Sequence, residues 1–235
     1  TGDGMKDKIR IRAANQTDDE AYSSLTVSVN GKTAYRLKNT RFYNVIANIY
    51  TLKNGQPFLY LYAPAENGDG PVCALLKYTN GKFRKALDFT EIMAGYGNHR
   101  IGEVTNLNGN KIVITESIVS YSLGINAINF TYEYVNGKFV PTSRYGSYKE
   151  IYSADGSSRH FTVSSDLPAY TRPGATAVNT TLKTGSLTKI IKCALINGKM
   201  YIQLECDGEI YWIKALENPP IADNERQFME VRYAG

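Results

Sequence analysis

The sequence predicts an all-β protein: an incomplete, propeller-like stack of four-stranded antiparallel repeats, followed by a small β-barrel. Three observations carry this. The 235 residues include 18 tyrosines and 20 glycines against one tryptophan, a bias towards half-buried pleated surfaces joined by tight turns. Asn-Gly, the strongest short hairpin signal, recurs at Asn30-Gly31, Asn54-Gly55, Asn80-Gly81, Asn108-Gly109, Asn136-Gly137 and Asn197-Gly198, with another at Asn67-Gly68 in a glycine-rich loop. The flanks of these turns also repeat: KYTNGKF at 77–83 returns as EYVNGKF at 133–139, and Asn54 matches Asn108.

A unit of about 55 residues with two hairpins holds four antiparallel strands. The first full unit is expected at 43–52, 57–63, 72–78 and 82–88, and the second at 100–107, 111–118, 125–134 and 138–145. Before residue 40 lie three more candidate strands, at 7–13, 23–29 and 33–38. Two blades and most of a third fall short of the roughly four that close a propeller, so the expectation is an open stack or another layered β architecture.

The opening TGDGMKDKIRI has the form of part of a calcium loop. Such loops place oxygen ligands at alternate positions, with glycine sixth for the sharp bend and a backbone carbonyl seventh. With Gly4 as that glycine, Thr1 stands third, Asp3 fifth, the Met5 carbonyl seventh and Asp7 ninth, and the first position falls before Thr1. The stretch resembles the start of FG-GAP-like (integrin-type) β-propeller repeats, which implies calcium in a longer chain, an exported or surface location and no tight cofactor site in these residues alone. The equivalent places in YTLKNGQPFLYL and EVTNLNGNKIVI have lost the aspartates. The bland reading of Asp3 and Asp7 is a polar turn capping the first strand.

After Ile151 the repeat stops, and SADGSSRH at 153–160 has linker composition. The expected division is 1–152 repeat domain, 153–159 linker, 160–216 barrel and 217–235 C-terminal extension. Strands are expected near 168–171, 178–182, 188–196, 199–206 and 209–214. LPAYTRPGA, LKTGSLTKI, NGKMYIQL and DGEIYWI, in that order, resemble bacterial SH3-like domains, small barrels of exported wall-associated proteins. Tyr211 departs from the glycine that commonly precedes the tryptophan in that family. The tail breaks at Pro219-Pro220 and ends in a candidate strand, 227–233.

Composition excludes several classes. A net charge of +5 from 27 basic and 22 acidic residues, spread without a block of like charge, does not suit nucleic acid. No apolar run reaches the ~18 residues of a membrane helix, and any export signal is expected upstream. Of the three cysteines, Cys193 should face Ile202 across the Asn197-Gly198 turn. That leaves Cys206 roughly 13 Å along the strand by its rise, beyond the ~5.5 Å Cα spacing of a disulfide, so all three are expected free and buried. No GxSxG elbow, phosphate loop or HExxH occurs, and His99 and His160 stand apart. A catalytic set is therefore not expected.

The candidate ligand-binding residues are Tyr170, Tyr201, Tyr211 and Trp212, whose flat rings suit sugars and peptides. Strand alternation places Tyr211 and Trp212 on opposite faces, so one of them is core. The resemblances imply a non-enzymatic, exported surface protein of a Gram-positive-type bacterium, lipoprotein-like, that recognises peptidoglycan or a protein segment. Two rivals stand beside it: a wall hydrolase or glycosidase using a pair among Asp155, Asp166, Glu205, Asp207 and Glu209, and a scaffold for protein partners.

Overall fold

The computed structural model describes residues 6–17, 19–66, 68–151 and 159–233, with the backbone alone at His99. It is all-β, with antiparallel sheets and, among the described residues, no α-helix. The chain divides into two compact units, 1–92 with 104–112 and 133–140, and 93–103 with 113–132 and 141–235.

The first unit opens with β1 (Ile9–Gln16), β2 (Tyr22–Val29) and β3 (Lys32–Phe42) in a three-stranded antiparallel sheet. The four-stranded meander of β4 (Ile46–Thr51), β5 (Pro57–Ala63), β6 (Val72–Thr79) and β7 (Lys82–Asp88) follows where the first full repeat was expected. Alternation buries Leu25, Val27 and Val29 of β2 against Leu59, Leu61 and Ala63 of β5 in one core; Thr26 and Ser28 between them on β2 are half-buried, whereas Tyr60 and Tyr62 between them on β5 are buried as well. Residues 104–112 and 133–140 add to this unit, and Phe58 packs edge-on to Tyr134 with ring centroids 5.0 Å apart.

Four of the Asn-Gly turns form as the dipeptide demands: Asn30, Asn80, Asn136 and Asn197 and the glycines after them all have positive φ, the backbone of a two-residue type I′ hairpin. At Asn54-Gly55 and Asn108-Gly109 only the glycine does, so those turns are of another type.

A nine-stranded antiparallel sheet supplies most of the second unit; residues 104–108, 111–112, 133–135 and 138–140 of its strands count with the first. Its strands are β8 (Gly97–Asn108), β9 (Lys111–Ser120), β10 (Gly124–Val135), β11 (Lys138–Pro141), β12 (Tyr145–Ile151), β13 (His160–Thr162), β16 (Leu187–Ile196), β17 (Lys199–Cys206) and β18 (Glu209–Lys214). The main path runs β18-β17-β16-β12-β10-β9-β8, with β11 on β10 and β13 on β16. A separate two-stranded ribbon joins β14 (Leu167–Ala169) to β15 (Thr180–Leu182).

This differs from the expected division at 153–159. β12, beyond the last repeat strand the sequence predicts at 138–145, pairs with β10 on one side and β16 on the other. Strands from the expected second repeat and from the expected barrel thus share one sheet. The reason is burial: Gly146, Cys193, Ile202 and Ile213 stand opposite one another across β12, β16, β17 and β18, and all four are buried. Of the expected linker only residue 159 is described.

The expected strand at 227–233 is instead a strap held by isolated contacts. Phe228 bridges Val163 and packs on Phe161 at 5.6 Å, and the Ile125 N–H donates to the Arg232 carbonyl at 3.0 Å.

Candidate functional site

The β16–β17 hairpin sets the register of the site. Its turn pairs Ile196 with Lys199 and Cys193 with Ile202, as the two-residue loop requires. Continuing across the neighbouring strands, Ser147, Lys192, Gln203 and Trp212 form one row, and Tyr145, Ala194, Tyr201 and Lys214 form the next. Each pair of row-mates on a strand is two residues apart, so both rows share a face. The row between them, from Gly146 to Ile213, points the other way into the core.

Tyr170 joins this face from outside the sheet. Its N–H donates to the Trp212 carbonyl at 2.8 Å, and the Trp212 N–H returns the bond at 2.9 Å. Tyr170, Tyr201 and Trp212 are brought together around Ala194, with Ala175 and Ile196 packed beside them. They are 7, 5 and 4 % exposed, so they make the floor of the face rather than its rim. Tyr211 pairs with Leu204 on the opposite side of β18, separated from Trp212 as alternation predicted.

What reaches solvent is a set of cations laid over these rings. The Lys192 ammonium stands 4.6 Å from the Tyr145 ring centroid and 6.0 Å from that of Trp212. Lys214 lies 5.4 Å over Tyr170, and the Arg144 guanidinium 5.3 Å over Tyr145. Tyr145, 36 % exposed, tilts against Trp212 at 5.9 Å. Among the described residues, none of these three cations has a carboxylate partner within ion-pair distance, unlike Arg41, Lys183 and Arg226, which pair with Asp19, Asp166 and Asp223. The ring faces hold the ammonium and guanidinium groups by their quadrupoles, leaving N–H donors for an anion. Sequence reasoning found the rings and missed the cations, because Arg144, Lys192 and Lys214 lie far apart in the chain and each reads as an ordinary exposed base.

The other sequence candidates sit elsewhere. Thr1, Asp3 and Met5 lie outside the described residues. Asp7 accepts a 2.7 Å hydrogen bond from the Asn30 side chain, beside an apolar hollow of about 240 Å³ lined by Ile9, Val29, Ile49, Phe58 and Phe83. Among the described residues no group of three or more His, Cys, Asp or Glu side chains is arranged to hold a metal ion. All three cysteines are buried thiols, none of them in a disulfide. Burial pushes the Cys193 thiol up to about 12, against the smaller opposite pull of backbone hydrogen bonding at Gly146 and at Cys193 itself; the thiol donates to the Gly146 carbonyl at 3.7 Å.

Of the acids proposed for hydrolysis, Asp155 lies outside the described residues. Asp166 accepts hydrogen bonds from Lys183 and from the Thr184 backbone, and these bonds, Lys183 first, hold its carboxyl below the usual range. Asp207 and Glu209 are exposed at the β17–β18 turn, and Glu205 stands opposite Lys189. The one buried acid among the described residues is Glu116 in β9. Burial first, and the Glu116 charge second, push Tyr132 up to about 12.

Comparison of the chain with protein-family models, with curated proteins and with solved structures gives no match.

Proposed function

We infer that this is a non-catalytic recognition protein whose contact surface is the cation-lined aromatic face of β12, β16, β17 and β18. Its ligand is an anionic wall glycopeptide, met through the carboxylates of its peptide stems. The observation that carries this is the trio Arg144, Lys192 and Lys214, each seated on an aromatic ring and none, among the described residues, with an acid to neutralise it. Three unpaired bases on one face attract anions before contact, and the rings beneath restrict their motion, lowering the ordering cost of each hydrogen bond. The wall assignment and the surface location rest on the sequence resemblances.

Co-sedimentation with purified peptidoglycan tests the reading. The protein should pellet with wall at about 20 mM salt and less so at about 200 mM, because exposed charges are screened within a Debye length of roughly 7 Å at the higher value. A combined Arg144→Ala, Lys192→Ala, Lys214→Ala variant should stay in solution at both. Equal retention of that variant would refute the assignment of the face.

A further inference from the structure

The C-terminal strap builds a second recessed site that neither the repeat nor the barrel reading anticipates. A cleft of about 220 Å³ lies between Asn98 of β8, Tyr121 in the β9–β10 turn, Pro219, Pro220, Arg226 and Tyr233. Its volume suits one ring rather than a chain of them.

The hydrogen bonding of the cleft is one-sided. Tyr233 donates its hydroxyl proton to the Tyr121 carbonyl at 3.0 Å, and the Tyr121 hydroxyl donates to Asn98 Oδ1 at 3.2 Å. Burial pushes the Tyr233 phenol up, against the opposing charge of Arg226, so it keeps that proton. The Asn98 carbonyl oxygen is thereby occupied and its amide N–H groups are turned to donate. Arg226 lies 5.6 Å over the Tyr233 ring and pairs at 3.2 Å with Asp223, whose side chain is 90 % exposed, an arrangement that leaves most of its five N–H groups for a ligand.

The cleft is lined by two phenol and two proline rings, and the main chain of Tyr121 is already bonded. The C–H face of a sugar packs on rings of this kind. The Tyr121 N–H is committed to the Tyr96 carbonyl, its own carbonyl takes the Tyr233 hydroxyl, and neither proline has an N–H. A peptide end, which is recognised mainly through backbone bonds, finds few partners here.

We propose that this cleft binds a single carboxylate-bearing sugar ring, its carboxylate on Arg226 and Asn98 and its ring between the tyrosines and the prolines. The site is independent of the cationic face and stands if that face binds nothing.

The test is amide-resolved NMR of the full chain titrated with D-glucuronate, with D-glucose as the ring lacking the acid and N-acetylalanine as the peptide end. Glucuronate should shift the resonances of Asn98, Tyr121, Arg226 and Tyr233 and saturate, while glucose at equal concentration should not. Arg226→Ala should weaken glucuronate at least tenfold, as loss of a charged hydrogen bond does. Asn98→Ala, at an exposed position, should weaken it several-fold and serves where the arginine variant folds poorly. Equal binding of glucose, no saturation by glucuronate, or undiminished binding by either folded variant would overturn the proposal. Tighter binding of N-acetylalanine would overturn the sugar ring.

Discussion

Gly146→Ala probes the strand that carries Tyr145. Gly146 lies in β12 opposite Cys193, and its φ is not in the left-handed region, so alanine meets no backbone strain there. The cost is steric. A Cβ at this position would stand 2.5 Å from Phe130 Cε1 and 2.7 Å from Ile128 Cγ2, about an ångström inside the 3.5–4.0 Å of ordinary carbon contact. Both neighbours are buried in β10, so relief must come from moving β12 off β10. Overpacking of this kind costs about 1–3 kcal/mol, and the tightness of two enclosed contacts places it near the top. The lower chain entropy of alanine in the unfolded state returns about 0.5–1 kcal/mol. The net expectation is about 2 kcal/mol, or about 4–8 °C in Tm for a chain of this size. Urea unfolding gives the measurement, with a fall in midpoint at constant slope and Ser147→Ala as an exposed neighbour that changes stability by less than about 0.5 kcal/mol. Emission from Trp212 should shift as well, because Tyr145 rests on it. A Gly146→Ala protein as stable as the parent would refute the packing argument.

Further outcomes follow from the same geometry. Because the Cys193 value is raised in the folded chain, its contribution is fully present below the unfolded thiol value near 9 and is lost as pH rises towards about 12. Urea titrations from pH 8 to 11 should show this decline, and Cys193→Ala should remove up to about 3 kcal/mol of it by pH 11, at 1.36 kcal/mol per unit. An identical decline in the alanine variant would contradict burial of the thiol. A double-mutant cycle on Lys192→Met and Tyr145→Leu should return a coupling of about 0.5–1 kcal/mol in thermal stability; zero coupling would mean the ammonium does not rest on the ring. Trp212→Ala should cost about 3–5 kcal/mol, whereas Tyr211→Ala, only half-buried on the Ile213 side of β18, should cost clearly less. Comparable losses would contradict this difference in burial.

The hairpins were legible because their signal is local. An Asn-Gly pair at positive φ fixes both the turn and the register beside it, which is why Cys193 opposite Ile202 follows from four residues of spacing. β5 and β7 lie where the turns put them for the same reason. The pairing of β12 with β16 joins residues more than 40 positions apart, and no periodicity within either strand encodes a partner so distant. The same holds for the bulge between Ile190 and Lys192, and for Gly124, where a Cβ would strike the Arg232 carbonyl at 2.3 Å. Of the candidate site, the separation of Tyr211 from Trp212 was readable from alternation along β18. The bases above it were not, because a lysine looks the same in sequence whether its ammonium lies on indole or in open water.

The buried row from Gly146 to Ile213 has a kinetic corollary. β16 has a hydrogen-bonded neighbour on each edge, with core on one side and the floor rings on the other. Its amides should therefore exchange with solvent deuterium only through the rarest, most global openings of the second unit. Lys192 is anchored to one of the slowest-breathing stretches of that unit. An anion arriving there meets a rigid, ready-made surface, so capture should be a single fast step without a preceding rearrangement.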